Sequence, residues 1–310
     1  MQLEQAAAIE RELVTRNMAL NPAQYLRHAG ISSPSGVVVS GFCGHLYIAD
    51  GGNQWEKQLL GESLLTEPAI AQWSKIFASH LSGAEDFGVR LVHLVVPEKQ
   101  LALPHYRWKT DLEPDLSIRP LRQIIQAAPD SMEILYPLTL FENHKPWCEL
   151  FYRGNSHWCA TGCLIAARAA LHALTGGDAP AIEKIPLEQA CIKHDLSLHF
   201  PDDEAFEEVI RIRPSGSRIF DNKAFEKTGH YTNSHYITRN PDAPIQDTLI
   251  IFGDSYACDL GLTAAMSACF LHVHFVWSKT IAWPYVKQMQ ARFVLWQSAE
   301  RFLFKPPSLI

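Results

Sequence analysis

Short runs of β-branched and apolar residues recur along this chain of 310 residues, and segments of helical character lie between most of them. Runs of this length and composition are typical of strands that are buried on both faces. Strands that alternate with helices favour a mostly parallel sheet covered by helices on both sides. We therefore expect an α/β fold. The predicted strands are 36–41, 45–49, 89–97, 132–138, 247–252, 272–277 and 291–297.

Three segments between or beside these strands have helical character. Residues 70–83 carry apolar side chains at spacings of three and four, and Gly83 is the predicted C-cap. Residues 158–177 are rich in Ala and Leu and end at a Gly-Gly pair. The most apolar stretch, 260–277, approaches the length of a membrane span, but its composition changes halfway. We expect a buried helix followed by a buried strand there, and no transmembrane segment.

The domain organisation predicted from these patterns is simple. Residues 1–34 form an N-terminal helical segment, and residues 35–310 form one α/β domain. Residues 178–245 carry much of the proline and charge and read as an irregular insertion or small subdomain. This insertion is interpreted as a lid, as an acceptor-binding surface or as simple decoration.

Composition excludes several classes of protein. The apolar fraction is 47% and the charged fraction 19%, as in ordinary globular proteins. The net charge is −6, and Lys and Arg are not clustered, which argues against nucleic-acid binding. The first 22 residues lack a basic region followed by an apolar one, so we expect a cytoplasmic protein. A periplasmic chain whose leader had been removed would look the same.

The cysteines do not suggest a metal centre. There are seven, and none forms a CxxC pair, which argues against a structural zinc or thioredoxin-type site. Cys159 and Cys163 are four apart, and a zinc site could be imagined with His157. The favoured interpretation is two small apolar side chains on one face of a helix, with no bound metal.

The sharpest motif is DTLIIFGDSYACDLG, residues 247–261. It predicts a buried strand, a tight turn at Gly253, Asp254 and Ser255, and then a helix. That order places Ser255 at the carboxyl end of a parallel strand, where open α/β sheets bind ligands. Backbone N–H groups at the helix start can stabilise a developing oxyanion. The alternative interpretation is an ordinary helix capped by Asp254 or Ser255.

A second motif, YRGNSHWCATG (152–162), carries a histidine ahead of the long helix. His157 is a candidate general base. The residue two positions earlier, where a supporting carboxylate is often found, is the amide Asn155. A near-copy of the motif, TNSHYITR (232–239), makes His235 the alternative base.

Together these motifs resemble the SGNH/GDSL esterases and acyltransferases. The histidine precedes the serine here, and this order is similar to the permuted, alginate O-acetyltransferase-like branch, whose Asp-x-His-Trp motif lies ahead of its GDS. His157 is preferred over His235 because Trp158 and Gly162 follow it with that branch's spacing. The resemblance covers roughly residues 35–305. Further similar segments are GFCGHLYIADGGNQ (41–54), VVPEKQ (95–100), FDNKAF (220–225) and FVLWQSAERFL (293–303).

The resemblance implies a role for each matching residue. Ser255 would be the nucleophile and His157 its base and later its acid. The N–H of Ser255 would donate into the oxyanion hole, with Gly253, Asp254 and Trp158 in supporting positions. Asn53 would either add a side-chain donor to that hole or serve only as a turn residue.

Asn155 departs from the branch's Asp. An amide can orient the imidazole by accepting from Nδ1–H, but it carries no charge, and Asp-to-Asn costs about 10⁴ in rate in a serine protease. Three outcomes are open: another carboxylate supports His157, the site works as a slower Ser–His pair, or only ligand binding remains. The unranked candidate carboxylates are Asp50, Asp254 and Asp259.

The leading functional hypothesis is a serine-dependent O-acyltransferase that moves an acetyl group to a sugar or polysaccharide hydroxyl. It would require no cofactor, with acetyl-CoA or another acyl thioester or ester as co-substrate. Expected partners are a carbohydrate or other hydroxyl-bearing acceptor and proteins of polysaccharide biosynthesis. The alternatives are a carbohydrate acetyl esterase with the same residues and a weakened carbohydrate-binding or scaffold protein.

Overall fold

The computed structural model describes residues 2–109, 118–144, 149–177, 180–201, 206–222, 235–258 and 261–307. Its helices are α1 (Gln2–Leu20), α2 (Pro22–Leu26), α3 (Trp55–Leu59), α4 (Glu67–Phe87), α5 (Lys99–Ala102), α6 (Pro120–Ala127), α7 (Leu138–His144), α8 (Ala160–Thr175), α9 (Ser255–Cys258), α10 (Leu262–Ser267) and α11 (Trp283–Gln288). Short 3-10 segments are Phe42–Gly44, Pro104–Tyr106, Pro180–Lys184, Ser197–His199 and Glu300–Phe304.

The strands build one large sheet and two small ones. They are β1 (Val38–Ser40), β2 (Leu46–Ile48), β3 (Arg90–Val96), β4 (Ile134–Leu135), β5 (Leu187–Lys193), β6 (Phe206–Ile212), β7 (Ser217–Asp221), β8 (His235–Arg239), β9 (Ile245–Gly253), β10 (Phe270–Trp277) and β11 (Phe293–Ala299). The large sheet has seven strands in the order β4-β3-β11-β9-β10-β8-β7. The first five in that order pair in parallel, whereas β8 and β7 pair antiparallel. The prediction of a mostly parallel α/β fold is confirmed.

Helices cover both faces of this sheet, as its strand composition predicts. On β9, Leu249 and Ile251 point into the core formed with α1, α8 and α10. The alternate residues Ile250 and Phe252 point into the core formed with α4, α6 and α11. Each face of the strand is therefore buried, which is why the run reads as continuously apolar rather than alternating.

The first two predicted strands do not join the large sheet. β1 and β2 pair with each other in antiparallel register, with Val39 opposite Tyr47. The connection between them is a single short turn in which Cys43 has a φ of 56°. So short a link permits only antiparallel pairing, because a parallel neighbour needs a crossover of a dozen or more residues. These strands form a small hairpin that is separate from the large sheet.

The predicted end of the helix at Gly83 is wrong. α4 continues to Phe87, and its C-cap is Gly88, whose φ of 62° is left-handed. Gly83 is buried in the helix, where an added Cβ would lie 2.1 Å from the indole of Trp283. The glycine therefore makes room for a packed ring. The end of α8 at Gly176, with a φ of 71°, agrees with prediction.

The segment 260–277 contains α10 followed by β10, so the predicted change from helix to strand is confirmed. None of the helices in the described ranges is at once long and apolar enough to cross a bilayer. Residues 178–245 contain more regular structure than an irregular insertion would. Their described part holds the antiparallel β5–β6 hairpin and the strands β7 and β8 at one edge of the large sheet.

The N-terminal helix is tied to this hairpin. The side chain of Asn17 donates from Nδ2 to the carbonyl oxygen of Glu208 at 2.8 Å, and its Oδ1 accepts from Glu208 N at 2.8 Å. The carboxylate of Glu10 accepts from the hydroxyl of Thr161 at the start of α8. α1 thus packs against both the β5–β6 hairpin and α8.

Candidate active site

Ser255 lies at the carboxyl edge of the parallel strands, as the first residue of α9 directly after β9. The side chain of Gln297 lies close against this turn. A Cβ on Gly253 would lie 2.6 Å from Gln297 Oε1, and that same oxygen accepts from Asp254 N at 3.0 Å. The glycine therefore allows β11 to bind the turn that presents Ser255.

Asp254 caps this turn. Its Oδ1 accepts from Tyr256 N at 3.0 Å and from Gln297 Nε2 at 2.9 Å, and its Oδ2 accepts from Ala299 N at 2.7 Å. Burial raises the pKa of this carboxyl, although the hydrogen bonds act in the opposite direction. Both oxygens are thus engaged by groups other than His157, and Asp254 stabilises the turn.

The structure brings His157 to Ser255 from 98 residues earlier in the chain. His157 Nε2 is 2.7 Å from Ser255 Oγ. On the other side of the ring, Nδ1 is 2.6 Å from Asn155 Oδ1, which also accepts from His157 N at 3.0 Å. An amide oxygen can only accept, so Nδ1 carries the hydrogen and Nε2 is left to accept from the serine. Ser255, His157 and Asn155 thus lie in a row, as candidate nucleophile, base and orienting group.

Several buried groups hold residues 152–157, here called the histidine loop, in place. Lys99 Nζ lies 2.7 Å from the carbonyl oxygens of Tyr152 and Arg153 and 3.2 Å from that of Asn155. Tyr256 Oη donates to Ser156 O at 2.7 Å. Burial lowers the pKa of Lys99 to about 7. These hydrogen bonds from Lys99 and Tyr256 occupy the backbone carbonyl oxygens of the loop and restrict its movement relative to Ser255.

Trp158 packs against Tyr256, the residue after Ser255. It is fully buried, and its ring meets that of Tyr256 edge-on, with centroids 5.1 Å apart. The same tyrosine ring lies 4.7 Å from the His157 ring, measured between centroids. Since Tyr256 directly follows Ser255, one aromatic group fixes the spacing between the two halves of the site.

One carboxylate beside His157 is not predicted from the sequence. Asp195 lies just after β5, 39 residues beyond Ser156. Its Oδ1 accepts from Ser156 N at 2.9 Å, and its Oδ2 accepts from Ser156 Oγ at 2.6 Å. The Oδ2 atom is 3.7 Å from His157 Nδ1. Nothing local in KHDLS marks this residue, because its position depends on how the hairpin folds back onto the histidine loop.

The electrostatics favour a neutral imidazole. Burial lowers the pKa of His157 to about 4, the charge of Asp195 raises it, and Arg301 and His194 lower it further. The Asp195 carboxylate is partly exposed, and its partial burial raises the pKa, but the electrostatic interaction with His157 and the hydrogen bonds from Ser156 outweigh this effect, so the pKa lies below its usual value. A neutral imidazole is the form that can accept a proton.

A buried ion pair lies next to Tyr256, beside the site. Arg301 Nη1 lies 2.8 Å from Glu98 Oε1 and 2.9 Å from Oε2. The guanidinium carbon is 5.7 Å from the centre of the Tyr256 ring. This pair joins the residue before α5 to the 3-10 segment after β11, so it links the Lys99 region to the Ser255 turn.

Asn53 lies in the turn before α3. Its carbonyl oxygen accepts from Gln58 Nε2 at 2.6 Å, and the same amide nitrogen lies 3.2 Å from Arg301 O. The Asn53 turn is thereby tied to the segment that carries Arg301. This contact involves the backbone of Asn53, and the role of its side chain as an oxyanion donor stays a prediction.

The other predicted candidates lie elsewhere or outside the described residues. Asp50 is exposed, and Asp259 and residues 223–225 of the FDNKAF segment lie outside the described ranges. His235 is in β8, and its Nε2 lies 2.8 Å from Tyr285 Oη, which is 2.7 Å from His274 Nδ1. Within the described ranges, no group of three or more His, Cys, Asp or Glu side chains is arranged to hold a metal.

No protein-family model and no curated protein sequence matches this chain. Solved structures do. Bacillus cereus PatB1 with a sulfonyl adduct superposes with a TM-score of 0.58 at 14% identity, over 79% of this chain and 93% of PatB1. A DHHW family protein from Eubacterium siraeum gives 0.56 at 14% identity, over 86% and 91%. The O-acetyltransferase domain of Pseudomonas putida AlgJ gives 0.55 at 18% identity, over 88% and 94%. At these identities the likeness establishes the fold alone, and the predicted α/β architecture with a mostly parallel central sheet, which is consistent with an SGNH-like fold, is confirmed.

Proposed function

We propose that this protein is a serine-dependent O-acyltransferase that transfers an acetyl group to a sugar or polysaccharide hydroxyl through an acyl-Ser255 intermediate. The observation that carries the proposal is the line from Ser255 Oγ to His157 Nε2 at 2.7 Å and from His157 Nδ1 to Asn155 Oδ1 at 2.6 Å. The fold shared with the O-acetyltransferase domain of AlgJ supports the choice of reaction class.

The first half-reaction acylates the serine. Ser255 Oγ attacks the acyl carbonyl carbon of the donor, and its proton passes to His157 Nε2. The N–H of Ser255, one of the amides at the start of α9 with no acceptor in the preceding turn of that helix, donates to the resulting oxyanion, and Asn53 is the proposed second donor. The tetrahedral intermediate then expels the donor's alkoxide or thiolate, which takes the proton from His157.

The second half-reaction transfers the acyl group. A hydroxyl of the acceptor gives its proton to the again neutral His157 and attacks the acyl-Ser255 carbonyl. Collapse of the second intermediate releases the acetylated acceptor, and Ser255 Oγ recovers the proton. No step needs a bound cofactor. We propose a carbohydrate acceptor, an ester or thioester donor such as acetyl-CoA, and polysaccharide-biosynthesis proteins as partners.

Acylation of Ser255 is the first test. Because PatB1 was solved with a sulfonyl adduct, a sulfonyl fluoride is a suitable probe. We expect a single mass addition to the wild-type protein, lost in Ser255→Ala and at least about 100-fold slower in His157→Ala, because a serine hydroxyl without its base is a weak nucleophile. No addition to the wild type, or undiminished addition in Ser255→Ala, would contradict the proposal.

Transfer itself is tested with p-nitrophenyl acetate in the presence and absence of sugar or oligosaccharide acceptors. We expect acetylated acceptor at the expense of free acetate. If all acetyl groups leave as acetate whatever the acceptor, the same residues serve a carbohydrate acetyl esterase and the transferase proposal fails.

A further inference from the structure

We propose that Asp195, acting through the hydroxyl of Ser156, supplies the negative charge that Asn155 lacks in support of His157. This inference rests on the proposed function, because it assigns the support of the catalytic base. Asp195 is a positioning and electrostatic residue, since its contacts are with Ser156 and with the far side of the imidazole rather than with reacting atoms.

The need for such a charge follows from the reaction. When His157 takes the proton of Ser255, an imidazolium forms in a place where its side chain is only 13% exposed. Asn155 Oδ1 accepts from Nδ1–H and fixes the ring, but an amide dipole offsets less of the positive charge than a carboxylate does. A buried cation without a nearby anion is costly.

The hydrogen-bond directions connect Asp195 to the ring. The Ser156 hydroxyl donates to Asp195 Oδ2 at 2.6 Å, which leaves its oxygen to face Nδ1–H at 3.2 Å. Donation to a carboxylate increases the negative character of that oxygen, because hydrogen bonds in a chain polarise one another. Nδ1–H is therefore shared between Asn155 Oδ1 and Ser156 Oγ, and the carboxylate lies 3.7 Å away.

The loop that carries Asp195 is built against the histidine loop. Leu196 N and Ser197 N both donate to the carbonyl oxygen of Gly154, at 3.1 and 3.2 Å. An added Cβ on Gly154 would lie 2.5 Å from Ser197 Oγ, so the glycine allows this approach. The two residues that follow Asp195 are thus bound to the loop that carries His157, and they hold Asp195 beside Ser156.

Among the charged groups that act on His157, Asp195 is the one that stabilises the imidazolium. Arg301, from the segment after β11, and His194, from the Asp195 loop, both oppose protonation of His157. Glu207 of β6 is paired with His194 at 2.9 Å, and burial lowers the pKa of Lys99 on α5 to about 7. Asp195 is itself 43% exposed, so water screens it and its effect should be smaller than that of a direct Asp.

The experiment compares Asp195→Asn with Asp50→Asn, an exposed carboxylate that the sequence also put forward, and with Asn155→Asp/Asp195→Asn. Imidazole ¹⁵N NMR gives the protonation midpoint of His157 whether or not the protein turns over substrate. We expect Asp195→Asn to lower that midpoint and to reduce kcat/KM by about 10- to 10³-fold, less than the ~10⁴-fold loss for a direct triad carboxylate. Asp50→Asn should change neither.

The double variant should recover the midpoint and most of the rate, because a carboxylate at position 155 contacts Nδ1 directly. An unchanged midpoint in Asp195→Asn, or a lost rate that Asn155→Asp does not restore, would overturn the inference. If Asp195→Asn does not fold, Ser156→Ala and Ser156→Thr test the same path, since only threonine retains the hydroxyl. Failure of the sulfonyl probe to label wild-type Ser255 would instead refute the proposed function, whereas the NMR midpoint would still report on Asp195.

Discussion

The neutral state of His157 decides how the candidate site responds to acid. Its imidazole touches Ser255 on one side and Asn155 on the other, and burial keeps it uncharged. A lone amide in the position of a triad carboxylate would suggest a disabled site. The nearby Asp195 carboxylate changes that interpretation, since it provides charge without occupying the orienting position.

The low pKa of His157 predicts that the protein stays active at pH values well below 7. A general base works only when unprotonated, and a pKa of about 4 leaves it so above pH 5. We expect acylation of Ser255 by p-nitrophenyl acetate to change by less than about twofold between pH 7 and pH 5, whereas a histidine of ordinary pKa, about 6.5, would lose roughly 20-fold. Single-turnover kinetics measure this, and a fall centred near pH 6.5 would contradict the assignment of the buried ring as the base.

Helix α4 shows that a glycine can be selected by packing rather than by backbone conformation. The apolar spacing of 70–83 predicts the helix, but the sequence alone indicates Gly83 as its end. The structure has four more residues before the left-handed cap at Gly88. The information that distinguishes the two glycines is the Trp283 indole, which lies 200 residues later in the sequence.

Gly83→Ala should therefore destabilise the fold. Alanine favours a helix over glycine by about 1 kcal/mol, but the new methyl must displace Trp283, and overpacking typically costs about 1–3 kcal/mol. We expect a net loss of up to about 2 kcal/mol in the free energy of unfolding by urea. The adjacent exposed Ser82→Ala gains helix propensity without a clash and serves as the control. Equal stabilisation by both changes would show that the ring moves freely.

The strands and the strand-to-helix turn at Ser255 could be predicted because their signals are local. Apolar runs such as 247–252 are long enough to identify buried strands, and Gly253 and Asp254 mark the turn that follows. The β1–β2 hairpin and Asp195 could not be found this way. The first depends on which partners a strand finds, and the second on a backbone contact between Gly154 and a loop about 40 residues later.

At the scale of the molecule, buried ion pairs join distant parts of the chain. Glu98 and Arg301 are both buried, and 203 residues separate them. Next to them, Arg119 pairs with Glu300, whose pKa burial raises to about 7. These charges surround the segment that follows β11 and connect it to the base of the candidate site.

Arg301→Met should cost about 3–5 kcal/mol in the free energy of unfolding, because it leaves Glu98 buried without its partner. Replacing both residues, as Glu98→Leu/Arg301→Met, should cost clearly less. Arg16→Met breaks an exposed pair with Glu208 and should cost at most about 1 kcal/mol. Urea unfolding of the four proteins, wild type included, tests this. A double variant no better than the single one would show that packing, rather than the unpaired charge, dominates.

The position of β11 has a consequence for how the protein is made. β11 lies between β3 and β9, although it follows both in the chain. Before β11 has been made, β3 and β9 have no shared neighbour, and each exposes an edge of unpaired backbone N–H and C=O groups. The bonds that Gln297 and Ala299 make to Asp254 arrive with the same strand. The sheet and the turn that presents Ser255 are therefore completed by the same event, the insertion of β11 between β3 and β9, and until then the two open edges can pair with other chains.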